Sequence, residues 1–232
     1  MAIRPVFLPV VNETARFVRE ALVEFAWSPG LASSQKLKSV RALHAAAALR
    51  GFSPLLEVST KSELETGRLL SAFNLPVALD DGSQVSLECA FQGSKVFERG
   101  GPYRDLLGRS SREAKQDERL RTSGRVVGFS LEGREFPAEP KTAFYDWLYL
   151  RALAPHPDYV GVLVEYAGFT DIEFNPRKAI NCQARACALI VALSRRSLLA
   201  EAIAAPAKFI DLVSRDALAQ PHSDDLRQQK LL

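Results

Sequence analysis

The stretch LSAFNLPVALDDGSQVSLECAFQGSK, residues 70–95, combines three signals in a short length. It holds an SxFN turn (Ser71, Phe73, Asn74), an Asp81-Gly82 bend, and an E-x3-Q-x2-K array made of Glu88, Gln92 and Lys95. The array has the spacing i, i+4, i+7. On a helix of 3.6 residues per turn those offsets return to nearly the same angle, so all three side chains would leave one face. A carboxylate, an amide and an amine on one face can form a small proton-transfer site. Leu87, Phe91 and Val96 would anchor that face in a core. Ser86 is placed to cap the helix, which is expected to stop near Phe97, before Gly100-Gly101-Pro102.

Working outward, residues 3–10 read as an extended segment that Pro5 and Pro9 confine to a sheet edge. Asn12 is expected to cap a helix through Phe25, with Val18, Leu22 and Phe25 on one stripe. A second helix is expected from Ser33 or Ser34 to Leu49, closed by Gly51. Leu55–Val58 is a short strand candidate and 61–70 a helix. A helix from Ser110 or Ser111 to Leu120 is followed by a hairpin over 125–136 that turns at Glu132-Gly133. Thr142–Leu153 is an aromatic-rich helix that Pro155 and Pro157 end. Residues 160–167 read as helix or buried strand, 169–176 as a loop. Residues 178–193 form a strongly apolar helix, and 197–218 one or two more. No repeat, linker or composition shift divides the chain. The expected architecture is α+β, mainly α-helical, with a small β-sheet: one domain over 1–220 and a polar tail over 221–232.

The chain has 232 residues, 47% of them hydrophobic and 25% charged, so it can bury a self-sufficient core. Its 30 basic and 27 acidic residues leave a net charge of +3, too small to argue for a nucleic-acid partner from charge alone. Basic residues do cluster over 99–125, but Asp105, Glu113, Asp117 and Glu118 offset them, as on a solvated helix face. Cys89, Cys182 and Cys187 have no CxxC spacing and read as small buried residues of a reduced compartment. With three scattered histidines, no metal-ligand cluster is expected. No N-terminal leader pattern and no apolar run near ~18 residues occurs, so the expected location is cytoplasmic, without membrane contact.

The order small-x-Phe-Asn, Asp-Gly, Glu–aromatic–Gln–Lys resembles the NADAR (YbiA-like) superfamily of N-glycosidases. The segment FTDIEFNPRKAINCQARACALIVAL, 169–193, is similar to that family's closing segment, though Ile172-Glu173 stand where the family has Trp-Gly and Gln183-Ala184 where it has Leu-Gly. The runs WSPG, LLEVSTKS, FYDWLY and FTDIEFNP, starting at Trp27, Leu55, Phe144 and Phe169, more closely resemble a NADAR branch encoded beside DarT-type DNA ADP-ribosyltransferase toxins. That match covers roughly residues 3–200, with residues 1–60 as branch-specific N-terminal helices packed on the core.

The resemblance implies an N-glycosidase that removes ADP-ribose from guanine in DNA, and an antitoxin that erases the toxin's mark. ADP-ribosylated DNA would be the substrate and ADP-ribose the product, with the cognate toxin a further candidate partner and no cofactor required. Lys95, ordinary helix-surface lysine or desolvated nucleophile, would form a Schiff base with the ribose. Glu88, either a helix-dipole carboxylate or a catalyst, would move protons. Asp171 would be the second acid and, with Glu173 and Asn175, would edge the pocket, unless the three are turn chemistry alone. Ser71, Phe73, Asn74, Gln92 and Asn181 would hold base and sugar. Tyr145, Trp147 and Tyr149 lie at i, i+2 and i+4, so Tyr145 and Trp147 should face different sides; Trp147 is a stacking candidate. Lys61, Arg68, Arg99 and Lys178 are candidates for the pyrophosphate. Two other readings remain: cleavage of a small ribosylamine phosphate, and a non-catalytic module that binds the toxin or ADP-ribose. The LEVSTKS run also resembles the Ser-Thr-Ser strand of ADP-ribosyltransferases, which would leave E-x3-Q-x2-K unexplained. No Gly-rich phosphate loop is present.

Overall fold

A computed structural model describes residues 1–13, 16–30, 32–176 and 179–218. The chain opens on strands β1 (Ala2–Pro9) and β2 (Val18–Phe25), helix α1 (Ser33–Ala48) and strand β3 (Leu55–Glu57). Helix α2 (Glu65–Leu69), the ribbon β4 (Pro76–Ala78) and β5 (Gln84–Ser86), and helix α3 (Leu87–Gly93) follow. Strand β6 (Lys95–Phe97), a 3-10 turn (Arg104–Gly108), and helices α4 (Ser111–Gln116) and α5 (Arg119–Thr122) lead into the hairpin β7 (Val126–Leu131) and β8 (Arg134–Pro137). The remainder is α6 (Ala143–Leu153), α7 (Pro157–Leu163), β9 (Gly168–Thr170), α8 (Gln183–Arg195), α9 (Leu199–Ala204) and α10 (Pro206–Leu218). This is an α+β fold, mainly helical, with small sheets.

The main sheet has the order β2-β1-β9-β3, with β3 and β9 parallel. Strand alternation divides the core. Val6 and Leu8 of β1 join Val23, Phe25, Leu43 and Ile172 beneath α1, while Phe7 joins Leu56, Phe169 and the buried faces of α6 and α8 on the other side. Helix α6 is buried from Ala143 to Leu150, and Ala184, Ala186, Cys187 and Ala188 let α8 approach it closely. The second sheet, β6-β7-β8, lays Phe129 and Phe136 on Phe144 at ring distances of 4.6 and 5.2 Å.

Four expectations change here. Residues 12–25 are not helical: β2 pairs with β1 in the register Ala2↔Phe25 to Pro9↔Val18. The helical stripe needed Leu22 inside, yet Leu22 is 57% exposed, and the apolar run of β1 takes β2 as its partner. Residues 1–60 therefore contribute three strands and one helix rather than a set of helices. Strand β1 is not an edge either, for β9 lies beside it; the contact is at Phe7↔Phe169, clear of both prolines. Finally, Pro157 starts α7 instead of only ending α6, the place where proline's missing N–H does no harm. The tail after residue 218 and Lys178 lie outside the described residues.

Candidate active site

The SxFN turn and α3 form one hydrogen-bonded unit. Ser86 caps α3 by accepting from Cys89 N at 3.2 Å. Leu87 N donates to Leu75 O and Glu88 N to Ala72 O, each at 2.9 Å. Ala72 N in turn donates to Gln183 Oε1 at 2.8 Å, which ties the turn to the start of α8. Ser111 at the start of α4 donates to Phe73 O at 3.0 Å and lies 2.7 Å from Ser86 Oγ. Glu88 is thus held on three sides and is 5% exposed. Its Oε1 accepts from Gln92 Nε2 at 2.9 Å and lies 3.9 Å from the ammonium of Lys115, which also stands 5.0 Å over the Phe73 ring.

Lys95 is not on the helix that its spacing suggested. Helix α3 ends at Gly93, where Ser94 Oγ turns back to Ala90 O at 2.6 Å and Ser130 N takes the Ser94 carbonyl at 2.8 Å. Lys95 is therefore the first residue of β6, paired with Phe129. Its side chain nevertheless returns to the helix, with Nζ 4.7 Å from the centre of the Phe91 ring, one turn beyond Glu88. Burial lowers the Lys95 ammonium to a pKa of about 8; the Glu88 carboxylate opposes that drop and the Lys115 charge adds to it.

A second acidic group lies at the carboxyl ends of the parallel strands β3 and β9. Glu57 closes β3 and Asp171 follows β9; they are 3% and 8% exposed. Asp171 Oδ1 accepts from the backbone N–H groups of Glu173 and Phe174 at 2.9 and 3.1 Å, and Cys182 Sγ lies 4.0 Å from Oδ2. Burial, then the charge of Glu57, pushes the Asp171 carboxyl well above the ordinary carboxylate range, and burial raises Glu57 as well. Tyr145 lies within reach of the charges of both centres. It meets the Phe91 ring edge-on at 5.0 Å, and its hydroxyl is pushed up by burial first and then by the charges of Glu88, Cys182 and Asp171.

The structure thus gathers Glu88, Gln92 and Lys95 about α3, close enough to Tyr145 that its hydroxyl feels the charges of both Glu88 and Asp171. Asn181 adjoins Cys182 at the start of α8, and its Oδ1 is buried, as are Gln92 Oε1 and Ser71 Oγ; none of the three has a protein partner among the described residues. Phe73 is half-buried beneath Lys115. Glu173 is exposed and accepts from Thr60 at 2.9 Å, at the rim of the acid pair. Asn175 closes the Pro176 turn, its carbonyl accepting from Ala179 N at 3.0 Å.

Other candidates are placed elsewhere. Tyr145, Trp147 and Tyr149 are all buried. Trp147 packs between Phe136 at 4.9 Å and Phe144 at 6.2 Å, under the Arg151 guanidinium, on the face of α6 turned to β8. Asn74 is exposed, and its amide is used by Arg68 O at 2.9 Å. Of the cations considered for a pyrophosphate, Arg68 donates to Ser62 O and Glu63 O and Arg99 to Thr122 O, while Lys61 sits in the loop after β3. Sequence reasoning passed over Lys115, Glu57 and Gln183. Only Glu57 carried a signal, a lone acid inside an apolar strand. Among the described residues no three His, Cys, Asp or Glu side chains group as metal ligands. No helix there is long and apolar enough to cross a membrane.

An α+β domain that sets a shielded amine beside a carboxylate on a capped helix, built from the SxFN and E-x3-Q-x2-K residues, defines a member of the NADAR superfamily. More narrowly, residues 2–223 match a family described as the DarT1-associated NADAR antitoxin, and the chain belongs to that family. Membership makes an antitoxin role against a DarT toxin the coarse function, with a cognate toxin implied. Comparison with curated proteins finds no match.

Proposed function

We propose that this antitoxin is an N-glycosidase that releases ADP-ribose from guanine in DNA and so erases the modification a DarT toxin installs. The observation that carries the reading is the Lys95 amine, held against Phe91 near Glu88 with a pKa of about 8. At pH 7 roughly a tenth of it is then neutral and nucleophilic, against less than a thousandth for an ordinary lysine.

In this mechanism Lys95 Nζ attacks the anomeric carbon as the glycosidic bond breaks, and the bonding pair leaves with the guanine nitrogen. Asp171, whose carboxyl is raised by burial, gives that nitrogen a proton. Glu88 takes a proton from Nζ and passes it to the ring oxygen as the sugar opens to the imine. Water adds to the imine carbon, the carbon–Nζ bond breaks, and ADP-ribose leaves with Lys95 restored. Gln92, through its bond to Glu88 Oε1, fixes the carboxylate. Asn181 and Ser71 offer buried oxygens for sugar hydroxyls, and Phe73 offers a ring face to the base.

The test is release of ADP-ribose from a guanine-ADP-ribosylated oligonucleotide, with borohydride added to trap the imine on Lys95. Full release by both Lys95→Ala and Glu88→Gln would remove the mechanism. A free ribosylamine phosphate as competitor separates a DNA substrate from a small one. Toxin neutralisation that survives both substitutions would instead support direct binding.

A further inference from the structure

Glu57 has no part in that reaction, yet it is the most completely hydrogen-bonded acid near the site. Its Oε1 accepts from Ser59 Oγ at 2.6 Å and from Ile172 N at 2.8 Å, and its Oε2 accepts from Thr170 Oγ1 at 2.6 Å. The donors are themselves supplied from behind. Lys61 N donates to Ser59 Oγ at 3.1 Å, and His44 Nε2 lies 2.8 Å from Thr170 Oγ1. With the Thr170 hydroxyl donating to Glu57, the neutral His44 ring is the donor to Thr170 Oγ1, through Nε2.

Asp171 immediately precedes Ile172, so the two carboxyls are close neighbours in a shielded space. The groups acting on them are one another, the exposed Glu173, Cys182, and His44 through Thr170; among the described residues none of these is a cation at neutral pH. Tyr145 and Tyr149 face Asp171 as uncharged phenols. Two buried carboxylates without a cation do not both ionise, as the Coulomb cost in low dielectric is too high. The proton settles where it breaks the fewest hydrogen bonds. On Glu57 it would have to reverse the Thr170 hydroxyl or displace Ser59. On Asp171 Oδ2 it displaces only the long, weak Cys182 thiol contact at 4.0 Å, since both backbone donors use Oδ1.

We propose that Glu57 is a positioning residue that takes the ionised place in this pair and keeps a proton on Asp171 Oδ2. The use of that proton on the departing guanine rests on the glycosidase reading; its location does not. In the reaction the Asp171 O–H bond breaks as the guanine N–H bond forms, and a proton from the water that hydrolyses the imine returns to Asp171.

Carbon-13 NMR of the full chain, labelled at Asp Cγ or Glu Cδ, reads the pair directly, with substitutions assigning the signals. One Asp carboxyl, absent from Asp171→Asn, should titrate well above the ordinary carboxylate range. It should fall back toward that range in Glu57→Gln, where the neighbouring charge is gone. Ser59→Ala, which removes one donor from Glu57 and is the milder change, should lower it part of the way. The alkaline limb of the kcat/KM profile on ADP-ribosylated oligonucleotide should follow the Asp171 midpoint in each variant, with kcat/KM near pH 7 lower by about tenfold or more in Glu57→Gln. A glutamate signal missing from Glu57→Gln that holds the proton, or an Asp171 midpoint unmoved in both variants, would overturn the proposal. Correct titrations without any ADP-ribose release would fail the glycosidase reading and leave the assignment of the proton standing.

Discussion

The carbonyl oxygen of Lys95 lies against Gly101, so close that a Cβ there would come within 2.2 Å of it. Gly101 also has φ +77°, which side-chain-bearing residues rarely adopt. Gly101→Ala therefore meets a clash and backbone strain together, and the strain falls on Lys95, whose amine the proposed mechanism uses. We expect a loss of about 2–4 kcal/mol in urea unfolding. Borohydride-trapped adduct should also fall in the fraction that stays folded. A variant with wild-type midpoint and wild-type trapping would refute the coupling.

Lys95 should set the ascending limb in the pH profile of imine formation, centred near pH 8 as the amine loses its proton, with Asp171 setting the descending limb. Stability follows from the same displacement. The folded pKa lies below the unfolded one, so the unfolded chain binds more protons between about 8 and 10.5, and stability rises with pH across that window. Below it, the buried charge is a standing cost. Lys95→Met should abolish release yet raise stability at pH 7 by about 1–3 kcal/mol. Denaturant titrations at pH 7 and pH 10 check the sign: the gain should shrink at the higher pH.

His44 is depressed to about 4, chiefly by burial, with the Glu63 charge opposing. As pH falls from about 6.5 to 4, the unfolded chain takes up a proton that the folded chain refuses, and stability is lost. The raised acids Glu57 and Asp171 act in the opposite sense, becoming easier to bury as they protonate. His44→Gln, which can still donate to Thr170, should remove about 2 kcal/mol of the loss between pH 7 and pH 4.5. An acid limb identical to wild type would show that His44 does not control it.

Gln183 joins two parts of the site through one side chain, accepting from Ala72 N at 2.8 Å and lying 3.4 Å from the Tyr149 hydroxyl. Gln183→Leu would leave a buried backbone N–H without an acceptor, at a cost of about 1–3 kcal/mol. Because Ala72 O holds Glu88 N, kcat should decline more than KM changes. Thermal unfolding and steady-state kinetics on the oligonucleotide substrate test both halves.

Phe73 and Trp147 can be told apart as base platforms. Phe73 is half-buried beside Glu88, whereas Trp147 is enclosed by Phe136 and Phe144. Phe73→Ala should raise KM several-fold, at about 1–3 kcal/mol per stacked base, with little effect on folding. Trp147→Phe should lower stability and leave KM alone. A KM effect at Trp147 and none at Phe73 would reverse the assignment.

The hairpin at Glu132-Gly133, the Ser86 and Ser110 caps and the α6 helix were legible because each rests on local chemistry: a positive-φ turn, a hydroxyl beside free N–H groups, a run of aromatics. The β1–β2 pair was not. Val18, Leu22 and Phe25 fit a helical stripe, and only the nearby strand 2–9 shows that pairing wins. The grouping of Glu88 with Lys95 was anticipated through the wrong geometry. The helix stops at Gly93, and the amine returns to the same face from a strand.

From sequence alone came the fold class and the family, fixed by residue type, spacing and order, and with them the proposal of Lys95, Gln92, Glu88 and Asp171 as site residues. Tertiary structure alone decided their state. It set Lys95 against Phe91, brought Lys115 to Glu88 from a separate helix, and buried Glu57 with Asp171 at the ends of two parallel strands. A side chain's readiness to give or take a proton depends on the charges and dielectric around it, and those come from segments distant in the chain.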